Sequence, residues 1–512
     1  MKILEKLEKS IEFYYLLITS FIFFLLRLPS LFEPYWYGDE GIYQTIGIAM
    51  RAGRLLYRDI WDNKPPLLYF LYSIFNSDQF MLRLVSLIFG LLSVVAFFYL
   101  SKKLFNDTLG GKIPFFVTSL YAFLFSIPLI EGNIANSENF MLLPIILSGF
   151  IVYKITQTCH SRESRLNRDD SRIRFRPCQN DILLITSGIL LSIAFLFKIV
   201  AIFDTAAFFI FLFIIGIKDL AILKDRKQLI LSVLNLLPLA AGFIIPIFLT
   251  FVFFFLNGAL KDFLSASFSQ NVGYVGYGNQ FLFPQGLLVL KLTILSLFLL
   301  FLLIKRKAIS QSTLFILIWL AFSIFNAFFS QRPYIHYLLV LLPSFCLLFG
   351  LVFFDKRYQK LTFVISIIFC VIIFTSFKFY GKTVLYYQNF VSFVLGQKSV
   401  SSYQAFFDRQ TPTDYQLAQF IKNHTTQKDN VFIWGNNAQV YKMANKLPAG
   451  KFTVAYHMTY SKKTLEETRD DINKQKPKYI IITSPRNPFP YHLLGYKVKL
   501  NIKNAIIYEK VF

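Results

Sequence analysis

About eleven runs of roughly 20 mostly apolar residues recur along this chain, and each is long enough to cross the hydrocarbon of a bilayer. They lie near residues 11–28, 80–101, 113–130, 138–157, 182–198, 199–217, 229–257, 284–304, 312–329, 336–354 and 361–380. A single globular core does not absorb that much apolar sequence: 55% of the 512 residues are hydrophobic and 61 are Phe. Backbone in lipid must satisfy its own hydrogen bonds, so apolar runs of this length are helices. The expected fold is a polytopic α-helical membrane protein with about eleven transmembrane helices. The stretch 182–217 reads either as two spans or as one kinked run around Lys198 and Asp204.

A net charge of +24 raises the question of nucleic acid. The distribution of that charge answers it. With the N-terminus in the cytoplasm, Lys102, Lys103 and Lys112, the Arg162–Arg176 cluster, Lys218–Lys227, Lys305–Lys307 and Lys356–Lys360 all fall on one side, as the positive-inside rule requires. The Arg-rich segment 158–181 is then a topology-setting loop, with contact to anionic lipid as the alternative. The opposite, external side receives the loop 29–79, the Glu131–Glu138 loop, the Lys198 turn, the loop 258–283, the Arg332–His336 loop and the C-terminus. Lys2, Lys6 and Lys9 precede the first run with no small-residue cleavage site after it, which reads as an uncleaved first span. Cys159, Cys178, Cys346 and Cys370 form neither a disulfide framework nor a CxxC metal pair.

Beyond about residue 381 the composition changes, giving two expected domains: 1–380 with the spans and their first external loop, and an extracytoplasmic α/β domain over 381–512. In the latter, TPTDYQLAQFIKNHT reads as a helix with Thr413 as N-cap and Gln416 three residues on. VFIWG (431–435), FTVAY (452–456) and KYIIITS (478–484) read as strands, and 437–446 and 462–476 as helices. Gly435 after a strand is a one-glycine match to a nucleotide turn and carries almost no weight.

Between Trp36 and Pro66 stand Asp39, Glu40, Asp59 and Asp62 against Arg51, Arg54, Arg58 and Lys64. In a chain so apolar, such a loop is either a solvated connector or a polar site held at the membrane face. Asp39-Glu40 suits a general base, and equally the positive end of the helix that IYQTIGIAM suggests. Lys64 precedes two prolines that stiffen the backbone and present the ammonium at a fixed place, suited to a phosphate or, alternatively, to snorkelling. Glu138 opens the fourth span and Lys198 sits inside an apolar run, where an ionisable group reads as functional by default. Arg332 and His336 stand at the mouth of a later span. Arg suits a phosphate fork, and His336 reads as a ligand, a proton carrier or a hydrogen-bonded interfacial residue.

YGDE after the first span, NKPPLLY ending its loop, the carboxylate at 138, Lys198 and RPYIHYLLVLLP together resemble the GT-C glycosyltransferases of the protein O-mannosyltransferase and aminoarabinose transferase type, over roughly residues 10–380. The resemblance implies a polyprenyl-phosphate-linked sugar donor, chemistry at the external face of the plasma or inner membrane, and a lipid, glycan or protein acceptor. It implies Asp39 as the catalytic carboxylate with Glu40 beside it, Glu138 as a second acid near acceptor or sugar, and Lys64, Lys198, Arg332 and His336 on the donor phosphate. Asn63 stands where some members carry an acid. No cofactor is implied, a divalent metal is optional, and no zinc-type cluster is visible. A multi-span transporter or flippase of a lipid-linked or small anionic substrate is the alternative. A polymerase or ligase of surface glycans would share the donor chemistry.

Overall fold

The computed structural model describes residues 2–105, 111–163, 181–217, 230, 232–271, 287–329, 334–354, 359–483 and 488–511. Arg332, Cys178, Lys356, the basic stretches 164–180 and 218–229 and much of the loop 258–283 lie outside the described residues. The chain forms two compact units: Met1–Arg27, Ser86–Val252 and Val272–Thr383 make one, and Leu28–Val85, Phe253–Asn271 and Val384–Phe512 the other.

Among the described residues, seven helices are long and apolar enough to cross a membrane: Ser10–Phe32, Gln79–Leu104, Ser137–Gln157, Ile199–Gly216, Leu237–Leu256, Leu288–Lys305 and Ile335–Val352. Four shorter apolar helices, Lys112–Ser126, Asp181–Phe197, Gln311–Ala327 and Phe363–Ser376, occupy the other expected runs. The protein is a multi-pass, α-helical membrane protein. The ambiguous stretch 182–217 is two helices, because Lys198 is extended (φ −156°, ψ 128°) between Asp181–Phe197 and the turn Ile199–Ala201.

In the first unit, lipid offers no solvent-driven collapse, so close packing and lateral hydrogen bonds hold the helices. Gly188 and Gly242 let two helices cross in contact: a Cβ on Gly188 would stand 2.2 Å from the Leu239 carbonyl, and one on Gly242 2.2 Å from that of Ile185. Ser148 bonds Ser187 at 2.7 Å, and Ser312 bonds Tyr153 at 2.7 Å while donating to the Leu104 carbonyl. Phe208, Phe211, Phe315 and Trp319 form an aromatic stack between the Ile202–Gly216 and Gln311–Ala327 helices.

The second unit contains a four-stranded sheet in the order β1-β2-β4-β3: β1 (Val431–Trp434), β2 (Tyr479–Ile482), β3 (Tyr496–Ile502) and β4 (Ala505–Lys510). β1 and β2 are parallel, with Val431 opposite Tyr479, while β4 runs antiparallel to both β2 and β3. Leu417, Ile421, Val431, Val440 and Ile481 are buried in its core. The helix Lys462–Gln475 begins with a capping box of Ser461 and Thr464.

Two local readings need correction here. The helix Thr411–His424 starts two residues before the expected cap, with Pro412 in its first turn and no side-chain cap, since proline supplies the starting φ in place of Thr413. FTVAY is not a strand: β1 takes its edge contact from Pro448 and Ala449, and Ala455–Met458 turns into a short helix. The β3–β4 hairpin was not anticipated.

The compositional break near 381 falls close to Thr383/Val384, but residues 28–85, expected to go with the spans, belong to the unit that holds the α/β fold. The reason is the helix Gly38–Arg51, which packs on the helix Gln439–Ala444. Thr45 Oγ1 donates to the Ala438 carbonyl at 2.8 Å, and a Cβ on Gly41 would lie 2.7 Å from the Gln439 backbone nitrogen. Gly41→Ala is therefore expected to destabilise by about 1–3 kcal/mol, because the obstruction is backbone that cannot rotate away. A melting curve of the purified protein in detergent checks this.

Candidate functional site

Tyr37 is extended and the helix begins at Gly38, which sets Asp39 and Glu40 in its first turn. Consecutive helical residues point about 100° apart, so the two acids separate. Asp39 turns outward, its side chain 34% exposed, and its Oδ2 receives Lys64 Nζ at 3.3 Å and the Tyr43 hydroxyl at 3.1 Å. The ammonium also stands 4.6 Å from the centre of the Tyr43 ring.

Glu40 turns inward. It is 2% exposed and accepts two bonds of 2.6 Å from the Arg83 guanidinium, which also reaches Glu33 at 3.2 Å. Glu33 is held further by Trp36 Nε1 and the Tyr386 hydroxyl, both at 2.7 Å. Glu40 thus belongs to a buried Glu33–Arg83–Glu40 assembly rather than standing beside Asp39 as an acid pair.

Lys64 is fixed through its backbone. Its N–H donates to the Tyr69 oxygen at 3.3 Å, and its carbonyl accepts the Tyr57 hydroxyl at 2.7 Å. Pro65 and Pro66 then open the helix Pro66–Ile74. Tyr57 has φ +70°, a conformation a bulky residue adopts only when its surroundings impose it. Those surroundings are the Phe254 and Phe263 rings at 5.3 and 5.5 Å. The Asp62 carboxylate accepts Tyr69 O–H at 2.7 Å and the Asn63 N–H at 2.8 Å, and burial holds the Tyr69 phenol far above its usual range, so it stays a donor.

In the first unit, Glu138 lies in the first turn of the helix Ser137–Glu163 with no exposed side-chain surface. It bonds Lys198, whose ammonium stands 4.5 Å from the Tyr337 ring centre, and its Oε1 is 3.7 Å from His336 Nε2. His336 Nδ1 meets Glu131 at 3.0 Å from the turn Ile335–Tyr337. The extended backbone at Lys198 is what aims that side chain away from its own helices. The structure thus joins Asp39 to Lys64 in one unit, and Glu138 to Lys198 and His336 in the other. Among the described residues no three His, Cys, Asp or Glu gather as a metal donor set.

Sequence reading passed over Arg83, Glu33 and His457, and gave Asp62 no role beyond the charge of its loop. Arg83, an ionisable residue opening an apolar run, carried a usable signal. Glu33 and His457 carried none.

One carboxylate beyond these is held in an unusual state. Asp414 is buried, and burial pushes its pKa up to about 7 despite bonds from Asn437 at 2.7 Å and Gln439 at 2.8 Å. The folded protein retains this proton above pH 3.8, where the unfolded chain releases it, so Asp414's contribution falls as pH rises from about 4 to 7, by up to about 4 kcal/mol. Melting temperatures of wild type and Asp414→Asn across that window are expected to show the shallower decline in the variant.

The family model described as "Putative competence-induced protein Ccs4 C-terminal domain" matches residues 413–505, the α/β part alone. No curated protein matches the sequence. Among solved structures the chain is similar to ArnT from Cupriavidus metallidurans bound to undecaprenyl phosphate, at 11% identity and a TM-score of 0.49 over 96% of this chain and 97% of that one. It is also similar to the archaeal oligosaccharyltransferase AglB from Archaeoglobus fulgidus in complex with an inhibitory peptide and a dolichol-phosphate, at 11% identity and a TM-score of 0.44 over 93% and 70% of the two chains. An oligosaccharyltransferase from Archaeoglobus fulgidus in the apo form gives 12%, 0.44, 92% and 69%.

Proposed function

We propose that this chain is a membrane glycosyltransferase of the GT-C kind, moving a sugar from a polyprenyl-phosphate donor to an acceptor hydroxyl at the external face with inversion. The observation that carries the reading is the Asp39–Lys64 pair: an accessible carboxylate and an ammonium 3.3 Å apart, on a loop whose backbone is bonded on both sides of the lysine. As the acceptor oxygen forms its bond to the anomeric carbon, Asp39 takes the hydroxyl proton. The bond to the donor oxygen breaks with its electron pair, and Lys64 meets the charge that grows on the polyprenyl phosphate. A cation fixed there acts on the transition state more than on the bound donor. Glu40, locked to Arg83, anchors the helix that carries Asp39. Glu138 is assigned to acceptor or sugar, and Lys198, His336 and Arg332 to the donor phosphate.

The test is transfer of labelled sugar from a panel of polyprenyl-phosphate donors by the purified full chain in detergent, where no vectorial transport can occur. Transfer to an added lipid, glycan or protein acceptor supports the reading. Absence of transfer, together with uptake of the same donors into proteoliposomes, would replace it with a flippase.

A further inference from the structure

His457 reaches the Lys64 loop from the opposite end of the second unit's sequence. It sits on the short helix Ala455–Met458 and is 7% exposed. Its ring meets Trp61 edge-on at 4.8 Å, and its Nε2 stands 3.7 Å from Asp62 Oδ1. The segment before it runs along the same loop. The Trp61 N–H donates to the Lys451 carbonyl at 3.0 Å, Phe452 packs on Trp61 at 5.6 Å, and Arg54 donates to the Gly450 carbonyl at 3.0 Å.

The contacts of Asp62 lead to Lys64. One carboxylate oxygen takes the Tyr69 hydroxyl, whose oxygen in turn receives the Lys64 N–H. The other takes the Asn63 N–H and faces His457. We propose that His457 is a positioning residue for the Asp39–Lys64 pair: wedged between Trp61 and Asp62, its imidazole sets the Asp62–Asn63–Lys64 turn and hence the place of the ammonium. The α/β fold is then part of the catalytic apparatus. Naming that pair as catalytic rests on the function proposed above.

The state of the ring fits this role. Burial lowers its pKa to about 4, the Asp62 carboxylate opposing and Lys64 adding to the effect, so at neutral pH the ring carries one N–H. Nδ1 has no hydrogen-bond partner among the described residues. The proton therefore belongs on Nε2, toward Asp62, with the lone pair on Nδ1. At 3.7 Å this is an electrostatic contact that a bound substrate can tighten.

Full-length His457→Phe and His457→Gln separate positioning from packing. Phe keeps the edge-on contact with Trp61 and loses the N–H; Gln loses the ring and keeps a donor near the Nε2 place. Two quantities are read in detergent: the rate at which an amine-reactive reagent labels Lys64, by peptide mass spectrometry, and kcat and KM for sugar transfer. In the Phe protein Lys64 is expected to label several-fold faster and kcat to fall about ten- to hundredfold at unchanged acceptor KM, with Gln restoring both. Wild-type labelling and kcat in the Phe protein overturn the proposal, as does a Gln protein that melts like wild type yet behaves like Phe. Where the Phe protein fails to fold, Asn replaces it, since its amide stops short of Asp62; equal labelling in the Gln and Asn proteins overturns the proposal. The labelling arm needs no sugar transfer, so a wild type that transfers nothing counts against the proposed function alone.

Discussion

Asp39→Asn is expected to lower sugar transfer by about 100-fold or more while leaving the melting temperature within a few degrees of wild type. The two effects separate because of where Asp39 stands. Its side chain is one-third exposed, and its ion pair with Lys64 is of the solvent-reached kind that contributes only about 0–1 kcal/mol to folding. The amide keeps the shape and still offers an oxygen to the Tyr43 hydroxyl, but it no longer takes a proton from the acceptor. A kcat/KM measurement on labelled donor, with a melting curve on the same preparation, checks both halves. Transfer at the wild-type rate would remove Asp39 from the mechanism, whatever happens to stability.

Arg83→Met is expected to do the reverse and act on the fold first, at a cost of about 3–5 kcal/mol. Glu33, Arg83 and Glu40 have at most 3% of their side-chain surface exposed, and the guanidinium is the cation between two carboxylates. Removing it alone leaves both carboxylates buried and close together, the arrangement in which desolvation is least compensated. Replacing all three, with Glu33→Gln and Glu40→Gln added, is expected to recover most of the lost stability because no charge then stays behind. Melting curves of the single and triple variants in detergent decide this. A single variant as stable as wild type would mean that solvent reaches the assembly.

The ionisable groups show how far residues can be read in advance. Lys198 was legible because an ammonium inside an apolar run has few tolerable environments, and the structure places it on Glu138 and over Tyr337. Asp39 and Lys64 were legible as a charge at the start of a helix and a charge before two prolines, both features of local backbone. The partner of Glu40 was not, since the choice between Asp39 and Arg83 depends on which way a helix is rotated. The β3–β4 hairpin was missed because its lysines, Lys497 and Lys499, interrupt the apolar signal on an exposed strand.

The sequence by itself determined which runs are long and apolar enough to be helical in a membrane, though not the break at Lys198, since transfer into hydrocarbon acts residue by residue and needs no partner. It also determined which charges had to be accommodated somewhere. Only the tertiary structure decided who accommodates them: Arg83 between Glu33 and Glu40, Asp62 against His457, and the helix Gly38–Arg51 seated on Gln439 through Gly41. Those choices join residues up to several hundred positions apart, and they are settled by side-chain reach and burial, which local sequence does not encode.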